Sequence, residues 1–142
     1  FSTYYKTYMF MQEMKRMARE KGYVISRSGR YRRLPCWEEL DDEAVREAIN
    51  MPVQSLAGDI LLYSLIKIDK YLREKGYRST LILETHDSCL FNMYLEEIHK
   101  YPIIQDIKLI MLTYFKSFIE FKTPLDISIK IGTNLHSMED IK

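Results

Sequence analysis

An α+β fold, an antiparallel sheet with helices packed on one side, is what this sequence predicts, and three observations predict it. Two stretches repeat apolar residues at three- and four-residue spacing, as amphipathic helices do. Two pairs of strand-like runs each flank a short turn signal, Ser28-Gly29 in one and His86-Asp87 in the other. A later run, LDISIKIG (125–132), alternates apolar and polar residues like a half-buried strand.

Taken in order, residues 2–21 predict a helix, with Tyr4, Tyr8, Met11, Met14 and Ala18 on one stripe and Gly22 placed to stop it. Such a Met and aromatic stripe reads as core or a helix-packing seam. YVISR and RYRRLP then form a hairpin around Ser28-Gly29, and Pro35 ends it. The acidic stretch EELDDE opens a helix at 41–50, where carboxylates suit the positive end of the helix dipole. Pro52 cannot donate an N–H and restricts Met51, so a break or kink is expected there. A second helix follows over 53–74, with Val53, Leu56, Ala57, Ile60, Leu61, Leu65, Ile68 and Leu72 as its apolar face and Gly76 as its stop. Residues 79–85 and 88–94 are strands, and 105–118 is a strongly apolar helix.

A chain of 142 residues with 46% apolar and 29% charged residues is globular rather than disordered, and long enough to bury a core without disulfides or metals. Cys36 and Cys89 lack ligand-like spacing, so reduced thiols are expected. No apolar run reaches the ~20 residues needed to span a bilayer, and no signal peptide is evident. The expected partners therefore exclude a membrane, and the expected compartment is intracellular, the cytoplasm or nucleoid, a virus-infected cell included. Net charge is +1, yet residues 15–33 hold eight basic residues against Glu20 alone, a local +7 against −6 elsewhere. Basic residues interleaved with Tyr23 and Tyr31 suit a phosphate backbone, and equally suit a solvated helix face followed by a basic hairpin.

The chemistry sits in LILETHDSCLF, residues 81–91. A carboxylate in a strand-to-strand turn is exposed yet rigidly held, as a metal ligand must be if it is to meet a second ligand from elsewhere. Asp is also a common turn residue, because its side chain bonds the local backbone. The dipeptide His86-Asp87 alone does not separate these readings.

Its company does. GYVISRSGRYRRLP, REAINMPVQSLAGDI, LILETHDSCLF and PLDISIKIGTNL occur in that order, and together resemble the C-terminal part of family A DNA polymerases, the bacterial polymerase I type. The corresponding positions are Gly22, Tyr23, Val24, Gly29, Arg30, Arg33, Leu34 and Pro35; Arg46, Asn50, Pro52, Gln54, Ala57, Asp59 and Ile60; His86 and Asp87; and Gly132 and Asn134. The resemblance implies an antiparallel palm-type sheet carrying the hairpin called motif C. It divides the chain into a remainder of the fingers subdomain at 1–40, helix and basic hairpin, and the C-terminal part of the palm at 41–142.

It also implies template-directed DNA synthesis, with dNTP and primer–template DNA as partners. Asp87 would be a catalytic metal ligand of a two-metal Mg2+ site. Arg46, Asn50, Gln54 and His86 would face the primer–template near its terminus, and Arg30 and Arg33 would position template or fingers elements. Gln and Arg suit minor-groove acceptors that every base pair presents. Ser88 stands where the family usually has Glu, Ser55 and Gly58 replace Gly and Ala, and Leu135 stands where Trp is usual. The family's other metal-binding aspartate, in motif A, and the fingers helix that holds the nucleotide have no counterpart in these residues. The expectation is that an N-terminal part of the polymerase, a separate chain or a detached segment, completes the site. Split subunit, intein-related product and proteolytic fragment all fit, and the chain alone should be inactive. Two other readings remain open: part of a phage-type single-subunit RNA polymerase, which also uses His-Asp, and a non-catalytic DNA-binding module.

Overall fold

The computed structural model describes residues 4–34, 41–117, 119–120 and 124–141. The expected stop at Pro35, the residue Cys36 and the first part of EELDDE lie outside them. The chain forms two compact units, 1–60 and 61–142.

In the first unit, α1 spans Tyr5–Lys21, β1 Tyr23–Ile25 and β2 Tyr31–Arg33. Only the C-terminal half of the α1 stripe is covered: Met14 and Ala18 are buried, whereas Tyr4 is 75% and Tyr8 56% exposed. Of the stripe read as core or a helix-packing seam, the C-terminal half is core, because the hairpin that follows α1 folds back over its last turns. Met14, Met17, Ala18, Val24, Leu34 and Ala48 make one core cluster. Gly22 stops α1 in the left-handed region, its N–H bonding the Ala18 carbonyl at 3.1 Å. Arg16 bonds Glu13 and Glu20, one turn to either side, at 2.6 and 2.8 Å. The β1–β2 hairpin pairs Tyr23 with Arg33 and Ile25 with Tyr31. Its turn closes with the Ser26 N–H donating to the Arg30 carbonyl at 2.8 Å.

Helix α2 spans Asp42–Glu74 without interruption. The Asp41 side chain caps it, accepting from the Ala44 N–H at 2.7 Å. The break expected at Pro52 does not occur. A proline there removes one helical hydrogen bond and crowds the carbonyl of Ala48, at a cost of about 3 kcal/mol. Contacts before and after it offset that cost: Ala44, Ala48 and Pro52 itself are buried on one face, and the next buried residue beyond the proline, Asp59, is tied to Ser28 and Arg30 of the hairpin.

In the second unit the C-terminal half of α2 buries Leu61, Leu65, Ile68 and Leu72 against Ile103 and Ile107. From the predicted apolar face, Val53 is instead 59% exposed. Gly76 ends the helix at φ 68°, with the N–H groups of Gly76 and Tyr77 bonding the carbonyls of Arg73 and Leu72, each at 3.0 Å. Strands β3 (Thr80–Thr85) and β4 (Ser88–Asn92) form the predicted hairpin. Helix α3 (Leu95–Lys100) precedes α4 (Ile103–Thr113), whose last turn tightens to a 3₁₀ segment at Tyr114–Ser117 that buries Phe115 completely. Strand β5 is shorter than expected, Ile129–Ile131, and pairs with β6, Glu139–Ile141. Between them Gly132 lies so close to the Ser137 backbone that a Cβ there would sit 2.6 Å from its carbonyl oxygen.

The fold is α+β with antiparallel strands, as expected. Among the described residues those strands form three separate two-stranded pairs rather than one continuous sheet.

Candidate nucleic-acid and metal site

The β3–β4 hairpin presents the His-Asp pair. Thr85 and Ser88 are its last paired residues, leaving His86 and Asp87 as a two-residue turn, both exposed. The Ser88 hydroxyl donates to the Thr85 carbonyl at 3.1 Å and so helps to close the turn. His86 has φ 54°, the one non-glycine residue in the left-handed region among those described. A side chain there costs about 1–2 kcal/mol, and such strain clusters at functional sites. On β3, Leu81 pairs with Phe91 and Leu83 with Leu90, so Ile82 is the extra residue of a bulge. Ile82 and Leu83 are 59% and 54% exposed.

The root of this hairpin is braced. The Glu97 carboxylate, on α3, accepts from the Arg78 N–H at 2.6 Å, the Ser79 N–H at 3.0 Å and the Ser79 hydroxyl at 2.6 Å. That hydroxyl, in turn, accepts from the Tyr94 N–H at 3.0 Å. Desolvation alone would raise the Glu97 carboxyl, but these donors outweigh it and hold it below the usual carboxylate range. Cys89, opposite Glu84 on the hairpin, is a free thiol pushed up by burial and then by the Glu84 charge.

On the N-terminal half of α2, Arg46, Asn50 and Gln54 are all exposed. Because the helix is continuous, they stand at i, i+4 and i+8 on one ridge, about 12 Å from end to end. The Arg46 guanidinium donates to the Asp42 carbonyl one turn back, at 3.2 Å. The buried line of Ala44, Ala48 and Pro52 occupies the opposite face.

The basic hairpin is tied to the same helix at two points. Arg32 forms an ion pair with Glu47. Arg30 reaches Asp59, its Nη2 on Oδ1 and its Nε 3.3 Å from Oδ2, while the Ser28 hydroxyl donates to Oδ2 at 2.5 Å. Ser26 and Ser28 share a further hydrogen bond of 2.7 Å. Burial opposes ionisation of Asp59, but the hydrogen bonds of Arg30 and Ser28 and the charge of Arg30 prevail and keep its carboxyl below the usual range. Arg33, on the outer end of β2, is exposed. Sequence reasoning placed Arg30 and Arg33 together and gave Asp59 no role of its own. The available signal was an aspartate within the apolar run LAGDILL, since a buried charge requires a partner.

Asp87 is exposed at the tip, and no group of three or more His, Cys, Asp or Glu that could hold an ion occurs among the described residues. A lone exposed carboxylate is a ligand type that suits an oxygen-seeking divalent cation such as Mg2+, with the rest of the shell supplied from elsewhere. No helix among the described residues is long and apolar enough to cross a membrane.

DNA polymerase I of Lactococcus lactis subsp. cremoris is 33% identical over 138 residues, covering 92% of this chain and 15% of that protein. The DNA polymerase of Bacillus phage SP01 is 30% identical over 142 residues, covering 94% of this chain and 15% of that protein. The chain therefore spans about 15% of the length of these relatives. Among solved structures, the POL domain of Pol1 from M. smegmatis, in complex with DNA primer-template and dNTP, matches with a TM-score of 0.69 at 28% identity, over 82% of this chain and 20% of that one. The family model described as DNA polymerase family A matches residues 1–137. With the hairpin, the helix ridge and the basic turn all falling inside that match, the chain belongs to DNA polymerase family A.

Proposed function

We propose that these residues are the C-terminal portion of a template-directed DNA polymerase, with residues 1–40 a remainder of the fingers and 41–142 part of the palm. The observation that carries this reading is Asp87, an exposed carboxylate at the tip of a braced hairpin beside a strained histidine. The M. smegmatis neighbour, solved with primer-template and dNTP, supports DNA and dNTP as partners.

Bound divalent cations, Mg2+ in this family, would lower the charge on the attacking 3′-oxygen, the α-phosphate and the leaving pyrophosphate. Asp87 would supply one carboxylate ligand to those cations, and a second aspartate would come from another segment or chain. Arg46, Asn50 and Gln54 meet the minor-groove edge of the primer–template, where acceptors common to all base pairs allow geometry to be checked without sequence preference. His86 faces the primer terminus beside the metal site. Arg30 and Arg33 contact or orient template phosphates, with Arg30 doing so from its tie to Asp59.

The test is primer extension by a polymerase that contains these residues together with the segment supplying the second aspartate. The chain alone is expected to show no extension, and the completed enzyme to gain it. Asp87→Ala should abolish metal-dependent extension while leaving primer–template binding nearly intact. Normal turnover by that variant would refute the assignment of Asp87.

A further inference from the structure

We propose that Asp59 is a positioning residue for nucleic-acid binding: its buried carboxylate, gripping Ser28 and Arg30, fixes the basic turn along α2 at a set place relative to the Arg46–Asn50–Gln54 ridge. This rests on the DNA-binding reading above and adds a residue that touches no DNA itself.

Asp59 is 6% exposed, on the same side of α2 as the buried Ala48 and Pro52, whereas the side chain of Arg30 is 56% exposed. A buried carboxylate is tolerated only when its oxygens are occupied, and here both are, by donors 29 and 31 residues away in the chain. Arg30 bonds both carboxylate oxygens, which sets the orientation of its guanidinium as well as its position. Arg32 on Glu47 makes a second tie, twelve residues back along α2, or about 18 Å at 1.5 Å per residue. The hairpin thus lies lengthwise on the helix, with its turn held at Asp59 and its strands near Ala48. A surface preformed in this way loses less freedom when it binds a phosphate backbone.

The sign of the expected effect separates this idea from plain electrostatics. Deleting a negative charge beside a polyanion site should tighten DNA binding, since fewer repulsions remain. A positioning role predicts the opposite. Binding of a fluorescently labelled primer–template to the full chain, followed by anisotropy across a salt series, should be weakened about three- to tenfold by Asp59→Asn, the scale of freeing one or two side chains. The slope of affinity against salt should not change, because no phosphate contact is deleted. Adding Asp59→Asn to Arg30→Gln should weaken binding by a smaller factor than Asp59→Asn does in the unaltered chain, since the carboxylate acts in part through that arginine and in part through Ser28. Ser28→Ala, which keeps every charge and buries nothing new, should weaken binding in the same direction by a smaller factor. Hydrogen exchange at residues 26–30 should quicken in both single variants, whether or not DNA is present.

Equal or tighter binding by Asp59→Asn, with exchange at 26–30 unchanged, would overturn the proposal. Should Asp59→Asn fail to fold, equal binding and exchange in Ser28→Ala would overturn it as well. If the unaltered chain binds no primer–template, the DNA-binding reading falls. In that case faster exchange in the variants still supports the tether, and unchanged exchange removes it too.

Discussion

His86 tests whether the hairpin tip carries strain for the sake of its side chain. Its φ of 54° places an L-residue where glycine would sit without penalty. The imidazole is exposed, so replacing it deletes no buried contact. His86→Ala keeps the steric conflict between Cβ and backbone, whereas His86→Gly relieves it. The relief is about 1–2 kcal/mol, and glycine's greater freedom in the unfolded chain takes back about 0.5–1 kcal/mol. The glycine variant should therefore exceed the alanine variant by up to about 1.5 kcal/mol, ~0.75 kcal/mol at mid-range, reversing the order found in ordinary strands and helices. For a chain of this size the mid-range value is a difference of about 1–4 °C in melting temperature. Thermal unfolding read by circular dichroism, with exchange at the amides of Thr85 and Ser88 as a local check, measures it. Primer extension by the completed enzyme should fall in both variants if the imidazole faces the primer terminus. An alanine variant as stable as the glycine variant, or more so, would refute the strain argument.

Two further outcomes concern stability. Asp59 has a carboxyl pKa below that of an unfolded aspartate, about 3.9, so its tie to Arg30 and Ser28 contributes fully above that value and is lost as pH falls through the lower folded value. Urea midpoints from pH 7 down to pH 2 should show an acid loss that is smaller in Asp59→Asn; equal acid loss in the two proteins would contradict the assignment. Gly132→Ala would set a Cβ 2.6 Å from the Ser137 carbonyl oxygen, a backbone atom that cannot swing aside. A loss of about 1–3 kcal/mol is expected on thermal unfolding, as for other overpacked positions, and a neutral result would show that the β5–β6 connection yields.

Much of this was legible in the sequence because it depends on neighbours along the chain. Gly22 and Gly76 stop helices by their own freedom at positive φ, and both do so here. Leu61, Leu65, Ile68 and Leu72 announce a buried stripe by spacing alone. The two hairpins appear where the turn signals put them. Short or late strands were harder: β6 carries the residues Glu-Asp-Ile, which show no alternation, and only pairing with Ile129–Ile131 makes them a strand. The exposure of Tyr4 and Tyr8 was equally hidden, since a stripe states which residues could be covered and not how far the cover extends.

The sequence by itself determined the α+β class, the placing of Asp87 in a turn between strands, and a motif order that resembles family A polymerases. Each follows from short-range rules of period, turn chemistry and spacing. Tertiary structure alone decided that α2 runs through Pro52, because the buried face of Ala44, Ala48 and Pro52 and the tie of Asp59 to the hairpin outweigh one lost hydrogen bond. That continuity, in turn, places Arg46, Asn50 and Gln54 on a single ridge rather than on two helices. The grip of Asp59 on Arg30 and Ser28 was also beyond local reading: an ion pair across 29 residues forms only once packing has carried the hairpin onto the helix.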